Sequence, residues 1–166
     1  MTGYTPGLFD RLLGVPNRGP GNSAAQRLTI DELKDTVARD LEALLNTRSS
    51  IEEGALDAYP ECGASMVTYG LCDFADRCLS SPTDRAAICA SIEATIGCHE
   101  PRLGKVRARL DVGGGSVNRL NFSITAVLVA GVSQEPVNFD AVLTPSTLQY
   151  SISKAGKAAR AAVPGA

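Results

Sequence analysis

Tryptophan is absent, and aromatic residues make up only 5% of the 166-residue chain. Platforms for stacking bases or sugars are therefore scarce, which argues against single-strand nucleic-acid and carbohydrate binding. A large charge of one sign is missing too: 16 Lys and Arg against 18 Asp and Glu leave a net charge of -2 and exclude a globally basic nucleic-acid binder. No apolar run approaches the roughly 20 residues of a membrane-spanning helix. The longest, 126–132, is interrupted by Gly131. The N-terminus has no Lys or Arg before Asp10 and no signal-peptide core, so the expectation is a cytoplasmic protein without direct membrane insertion. There is one histidine, His99, and the five cysteines (Cys62, Cys72, Cys78, Cys89 and Cys98) contain no paired C-x-x-C, a pattern that suits reduced thiols and matches no zinc finger.

What is present is the composition of an ordinary globular domain, 44% hydrophobic and 20% charged, at a length where one core buries roughly 70% of the unfolded surface. Residues 1–28 mix three prolines with five glycines and read as a flexible arm. Within it Leu8, Phe9, Leu12 and Leu13 cluster at helical spacing, a short turn suited either to docking on another chain or to folding back on its own domain. Thr29 with Glu32 forms a capping box, and Ile30, Leu33, Val37, Leu41, Leu44 and Leu45 carry the helical period to about Arg48. Arg39 and Asp40 lie on its charged face, read as solvated or open to a partner. After a long connection, Ser81-Pro82 starts a second helix with Ile88, Cys89, Ile92 and Ile96 as its buried stripe and Gly97 as its expected cap.

Beyond Pro101 the period becomes two. Val106, Ala108, Leu110 and Val112 alternate with Lys105, Arg107, Arg109 and Asp111, and a glycine turn at 113–116 leads to Leu120, Phe122, Ile124, Ala126 and Leu128. Val137, Phe139 and Ala141 predict a third strand, and Leu148, Tyr150 and Ile152 a short fourth. Connections this short force antiparallel pairing. The expected fold is α+β: an N-terminal arm, then two principal helices packed on an antiparallel three- to four-stranded β-meander, with one domain over 29–153 and a basic tail over 154–166.

Chemistry-bearing candidates are few. Pro101 biases Glu100 toward an extended conformation, so Glu100 and Arg102 project to the same side, either tying down a helix-to-strand corner or presenting two charges to another chain. Pairing Glu100 with Asp111 as general acid and base is the hydrolase alternative, which lacks a sugar platform. Cys98-His99 as nucleophile and base, or His99 with Cys72 and Cys78 as a zinc site, lacks the spacing. Lys105, Arg107 and Arg109 form a basic stripe closed by Asp111, and Gly113-Gly114-Gly115 is no phosphate loop. From the residues alone the chain is a soluble α+β domain with no convincing catalytic, cofactor or metal site.

Leu8-Phe9-Asp10-Arg11-Leu12, the helix from Val37 to Arg48, Ser65-Met66-Val67-Thr68-Tyr69-Gly70-Leu71, the spaced Ile88, Ile92 and Ile96, and Glu100-Pro101-Arg102-Leu103 occur in an order that spans nearly the whole chain. In that order the chain resembles the TssE-type baseplate-wedge family of bacterial type VI secretion systems and its contractile-phage, tail-lysozyme-like relatives. Cys72 stands where the family usually has proline, and Cys98 where an aromatic is common. The resemblance implies a non-enzymatic scaffold that needs no cofactor or small-molecule substrate. Its implied partners are the wedge proteins TssF and TssG, the baseplate protein TssK, the TssB/TssC sheath and the VgrG hub. The implied contacts are Glu100, Pro101 and Arg102 at the corner, Leu8, Phe9 and Leu12 on the arm, and a sheet edge that receives sheath strands. The implied place is the cytoplasmic baseplate docked to the inner-membrane complex. The alternatives are a peptidoglycan hydrolase using Glu100 and a generic cytoplasmic adaptor. On this reading Arg102→Ala is expected to leave the monomer folded and to disrupt sheath assembly.

Overall fold

The computed structural model describes residues 4, 28–49, 51, 54–74, 77–78, 81–111, 120–131, 133–144 and 147–154. Leu8, Phe9 and Leu12, the glycine turn and the basic tail after Lys154 lie outside the described residues. The chain divides into two compact units, residues 1–37 and 38–166. In the first, Tyr4 and Leu28 form an antiparallel bridge with reciprocal backbone bonds of 2.9 and 2.7 Å. The capping box is present: the Thr29 amide donates to a Glu32 carboxylate oxygen at 2.7 Å, and the Glu32 amide donates back to Thr29 Oγ1 at 3.3 Å. It starts helix α1, Ile30–Asn46, which is shorter than the period suggested because the chain turns at Thr47.

In the second unit, helix α2 runs from Pro82 to His99, and the Ser81 hydroxyl accepts from the Asp84 amide at its N-cap. Gly97 does not cap it. The helix continues two residues further, to the residue before Glu100, because Glu100 precedes Pro101 and is held out of the α region at φ -121°. Ile88, Ile92 and Ile96 are buried as the stripe requires, while Cys89 is half-buried.

The sheet is a four-stranded antiparallel meander in the order β1-β2-β3-β4, with β1 Leu103–Asp111, β2 Leu120–Ala130, β3 Ser133–Thr144 and β4 Gln149–Lys154. Both helices pack on it. Phe122, Ile124, Ala126 and Leu128 of β2 and Val137, Phe139 and Ala141 of β3 are buried, as alternation predicts, and Leu143 extends the β3 stripe by one more residue. β1 begins earlier than its alternation indicated. Leu103 and Val106 are both buried although three apart, which requires one extra residue on this strand, and the register slips between Gly104 and Arg107. Lys105 supplies the bulge with a left-handed φ of 53°. Leu148 is likewise a turn residue with φ 53° rather than part of the fourth strand, and it is exposed.

Between the helices, two 3-10 turns, Pro60–Ala64 and Met66–Thr68, lead to Tyr69-Gly70-Leu71. Leu71 is fully buried and pairs in parallel with Arg48, its amide donating to the Thr47 carbonyl and its carbonyl accepting from the Ser49 amide. Gly70 makes this approach possible. It has φ 119°, and a Cβ there would lie 2.7 Å from the Thr47 carbonyl oxygen.

Tyr150 carries the one buried side-chain polar atom without a hydrogen-bond partner among the described residues, its hydroxyl, and burial pushes its phenol well above the ordinary value. A phenol raised in the folded state adds stability that is complete below the unfolded value of about 10 and is lost as pH climbs above it. Tyr150→Phe should therefore keep or raise stability at pH 7, by up to about 1 kcal/mol, and should lose less of it between pH 10 and 12. Urea unfolding across that range checks this, and a loss above about 1 kcal/mol at pH 7 would mean that the hydroxyl makes a bond worth keeping.

Candidate functional site: the ion-paired corner

The helix-to-strand corner is built by three consecutive residues. Glu100 caps α2, its amide donating to the Ile96 carbonyl at 2.9 Å; Pro101 turns the chain; the Leu103 amide then donates to the Glu100 carbonyl at 3.0 Å as β1 begins. Glu100 and Arg102 do point the same way, and they meet each other. Arg102 Nε donates to Glu100 Oε1 at 2.6 Å and Nη2 to Oε2 at 2.5 Å, a two-bond fork, while the Arg102 amide also reaches Oε1 at 3.2 Å. Arg102 Nη2 donates further to Asp40 Oδ2 at 2.5 Å, across 62 residues of sequence. The Arg102 carbonyl accepts from the Val129 amide at 2.8 Å. One residue thus joins α1, the end of α2, the start of β1 and the end of β2.

The burial is uneven. Glu100 is only 5% exposed, whereas the side chains of Arg102 and Asp40 are 28% and 40% exposed. A buried carboxylate is tolerable only when fully paired, and both Glu100 oxygens are taken by the guanidinium. The Arg102 guanidinium is held above its ordinary value, chiefly by the Glu100 hydrogen bonds and further by Asp40, against the opposing effect of burial. Tyr69 stands beside the cluster, and its phenol is raised by burial and then by the Asp40 and Glu100 charges.

The residue next to the corner anchors the preceding loop. His99 Nε2 donates to the Thr68 carbonyl at 3.0 Å, and its ring meets Tyr69 edge-on with centroids 5.5 Å apart. The Cys98 thiol donates to the Gly63 carbonyl at 3.3 Å. Cys98 and His99 lie in the last turn of α2 rather than on extended chain, and each is committed to a separate loop carbonyl. Neither the nucleophile-base pair nor the zinc reading has support in this arrangement, and no group of three or more metal-ligating side chains occurs among the described residues. The hydrolase pairing fails on distance as well. Asp111 ends the nine-residue β1 that starts beside the corner, about 25 Å away, whereas paired glycosidase carboxylates lie within about 10 Å. The basic stripe is partly neutralised: Arg107 pairs with Glu93 at 3.2 Å. Beside it, an open groove of about 470 Å3 between α2 and β1 is lined by Arg85, Cys89, Glu93 and Arg109. Burial pushes the Cys89 thiol up, partly offset by a backbone hydrogen bond from Leu110.

The family model for baseplate wedge protein gp25 matches residues 31–131, more than half of the chain. The chain belongs to this baseplate-wedge family. The matched span contains α1 from its first turn, the loop, α2, the corner and the first two strands, so all three members of the ion-paired cluster fall inside it. The wedge family is structural and non-enzymatic, and the wedge protein is a baseplate component. Among solved structures, a chain from the baseplate complex of the type VI secretion system is similar at 15% identity with a TM-score of 0.44, over 68% of this chain and 94% of that one. No curated protein matches. No helix among the described residues is long and apolar enough to cross a membrane.

The sequence brought Glu100, Pro101 and Arg102 together, left Asp40 as solvated or open to a partner without joining it to them, and placed Tyr69 only within a family motif. The arrangement also changes the expectation for Arg102→Ala, because it strands a buried carboxylate. We expect this substitution to cost the wedge protein about 3 kcal/mol of stability, and the double replacement Glu100→Leu with Arg102→Met to recover most of that loss. Urea unfolding of the three proteins checks it. A cost below about 1 kcal/mol for Arg102→Ala would remove the structural role of the pair.

Proposed function

We propose that this wedge protein is the TssE-type subunit of a type VI secretion baseplate, in the cytoplasm where the baseplate docks to the inner-membrane complex. It joins the wedge partners TssF and TssG, adjoins TssK and the VgrG hub, and holds the first ring of the TssB/TssC sheath by accepting a strand at its sheet. The observation that carries this reading is the family match over a span that includes the complete Asp40-Arg102-Glu100 cluster. The corner serves as an interface through its outer side. Pro101 is exposed and Arg102 keeps a solvent-facing portion, so the internal clamp holds a fixed surface for a neighbour at little further ordering cost. Leu8, Phe9 and Leu12 supply a second docking element on the arm.

Co-expression of the tagged chain with TssF and TssG of its system tests the wedge reading. A stable complex recovered through the tag is expected, with several-fold weaker recovery for Arg102→Lys, which keeps the charge and loses the fork. Recovery of the chain alone would contradict it.

A further inference from the structure

The two 3-10 turns between the helices, Pro60–Ala64 and Met66–Thr68, bury no residue of their own. Their apolar side chains face solvent instead. Met66 is 83% exposed, Tyr59 just before the first turn 64% and Val67 55%, and no other large apolar side chain among the described residues exceeds 42%. A loop that buries nothing ordinarily frays, because conformational entropy opposes its ordering. This one is held by polar bonds. The Ser65 hydroxyl donates to the Cys62 carbonyl at 2.7 Å and accepts from the Val67 amide at 3.3 Å. The Thr68 hydroxyl donates to the Gly63 carbonyl at 2.9 Å, tying the second turn to the first. Two further bonds come from the last turn of α2, from Cys98 to the Gly63 carbonyl and from His99 to the Thr68 carbonyl. Glu100 follows directly, so the loop and the ion-paired corner are fixed to the same helix end.

Charge decides what can cover these side chains. From Ser49 to Asp76 the sequence has six acidic residues and no Lys, Arg or His. Asp57 and Glu61 are exposed on the loop itself. A second copy docked loop against loop would set acid against acid, and an anionic lipid surface would repel the same charges. A protein surface that buries Met66 and Val67 while setting Lys or Arg opposite Asp57 and Glu61 complements both the apolar and the charged parts. Methionine suits such a socket, since its unbranched thioether adapts to the shape it meets.

We propose that Met66 and Val67 form a preformed apolar knob that seats in an apolar socket framed by Lys and Arg side chains on a wedge partner. This rests on the wedge reading above and adds a contact to it beyond the corner and the arm. Because hydrogen bonds fix both turns before binding, little ordering cost is left at the interface, and α2 sets the position of the knob relative to the corner.

The test is co-expression of the tagged chain with TssF and TssG. Met66→Asp and Val67→Asp change exposed side chains, so both variants should unfold in urea at the wild-type midpoint while their recovery of the partners falls on the order of tenfold. Asp57→Lys combined with Glu61→Lys should also weaken recovery, most strongly at low salt. Undiminished recovery by the apolar variants overturns the knob, and undiminished recovery by the charge-reversed variant overturns its basic frame. A second readout needs no variant. Met66 is the one methionine besides Met1, so brief treatment of the wild type with hydrogen peroxide, read by peptide mass spectrometry, reports on this position directly. Its conversion to the sulfoxide should proceed as in free methionine when the chain is alone and several-fold more slowly in the complex; equal rates overturn the proposal. So does a dimer, or co-sedimentation with vesicles containing phosphatidylglycerol, that Met66→Asp abolishes. A wild type that recovers neither TssF nor TssG contradicts the wedge reading and the knob with it, whereas a wild type that recovers them alongside an indifferent Met66→Asp overturns the knob alone.

Discussion

The guanidinium of Arg102, forked onto the buried Glu100 carboxylate and extended to Asp40, is the constraint around which the second compact unit is organised. Without it, the end of α2 would carry a desolvated charge, and the corner would lose its tie to α1. With it, a cap, a proline turn and the first residue of β1 hold one geometry, and the Arg102 carbonyl carries that geometry on to β2. Charge alone does not account for the arrangement. A lysine at 102 would keep the sign but could not satisfy both Glu100 oxygens and Asp40 at once, because only a planar fork presents several donors in fixed directions.

The same helices that meet at the corner also close the sheet. α1 contributes Asp40 to the cluster and, one half-turn and more further on, Glu42 and Asn46 to the β4 edge; α2 contributes Glu100 to the cluster and Glu93 to the β1 edge. Polar side chains on these helices thus replace a neighbouring strand. A small sheet with two bare outer strands tends to pair with copies of itself. Here Ala108 on β1 and Tyr150 and Ile152 on β4 have their outward amides taken by helix side chains.

Local features were legible in the sequence because local spacing encodes them. Thr29 and Glu32 satisfy each other across a single turn, Ser81-Pro82 starts a helix by its own chemistry, and the alternation of β2 and β3 names their buried faces residue by residue. The two-residue reach from Glu100 to Arg102 belongs to this group, since Pro101 fixes the conformation between them. Asp40 could be read as open to a partner, but its bond to Arg102 was not legible, because that partner lies 62 positions away. Lys105 and Leu148 were missed for another reason: both adopt left-handed backbone that glycine normally supplies, so their side chains announce strand where the chain turns or bulges. The edge caps at Glu42, Asn46 and Glu93 depend on where the helices lie on the sheet, and periodicity alone does not carry that placement.

The most direct measurement is a double-mutant cycle between Asp40 and Arg102, with Asp40→Ala, Arg102→Ala and the pair compared by urea unfolding. If Arg102 clamps α1 to the corner, the two losses are non-additive, with a coupling of about 1 kcal/mol after allowance for the partial exposure of Asp40. Additive losses, with coupling indistinguishable from zero, would show that α1 is held in place without this contact and would contradict the central role given to Arg102.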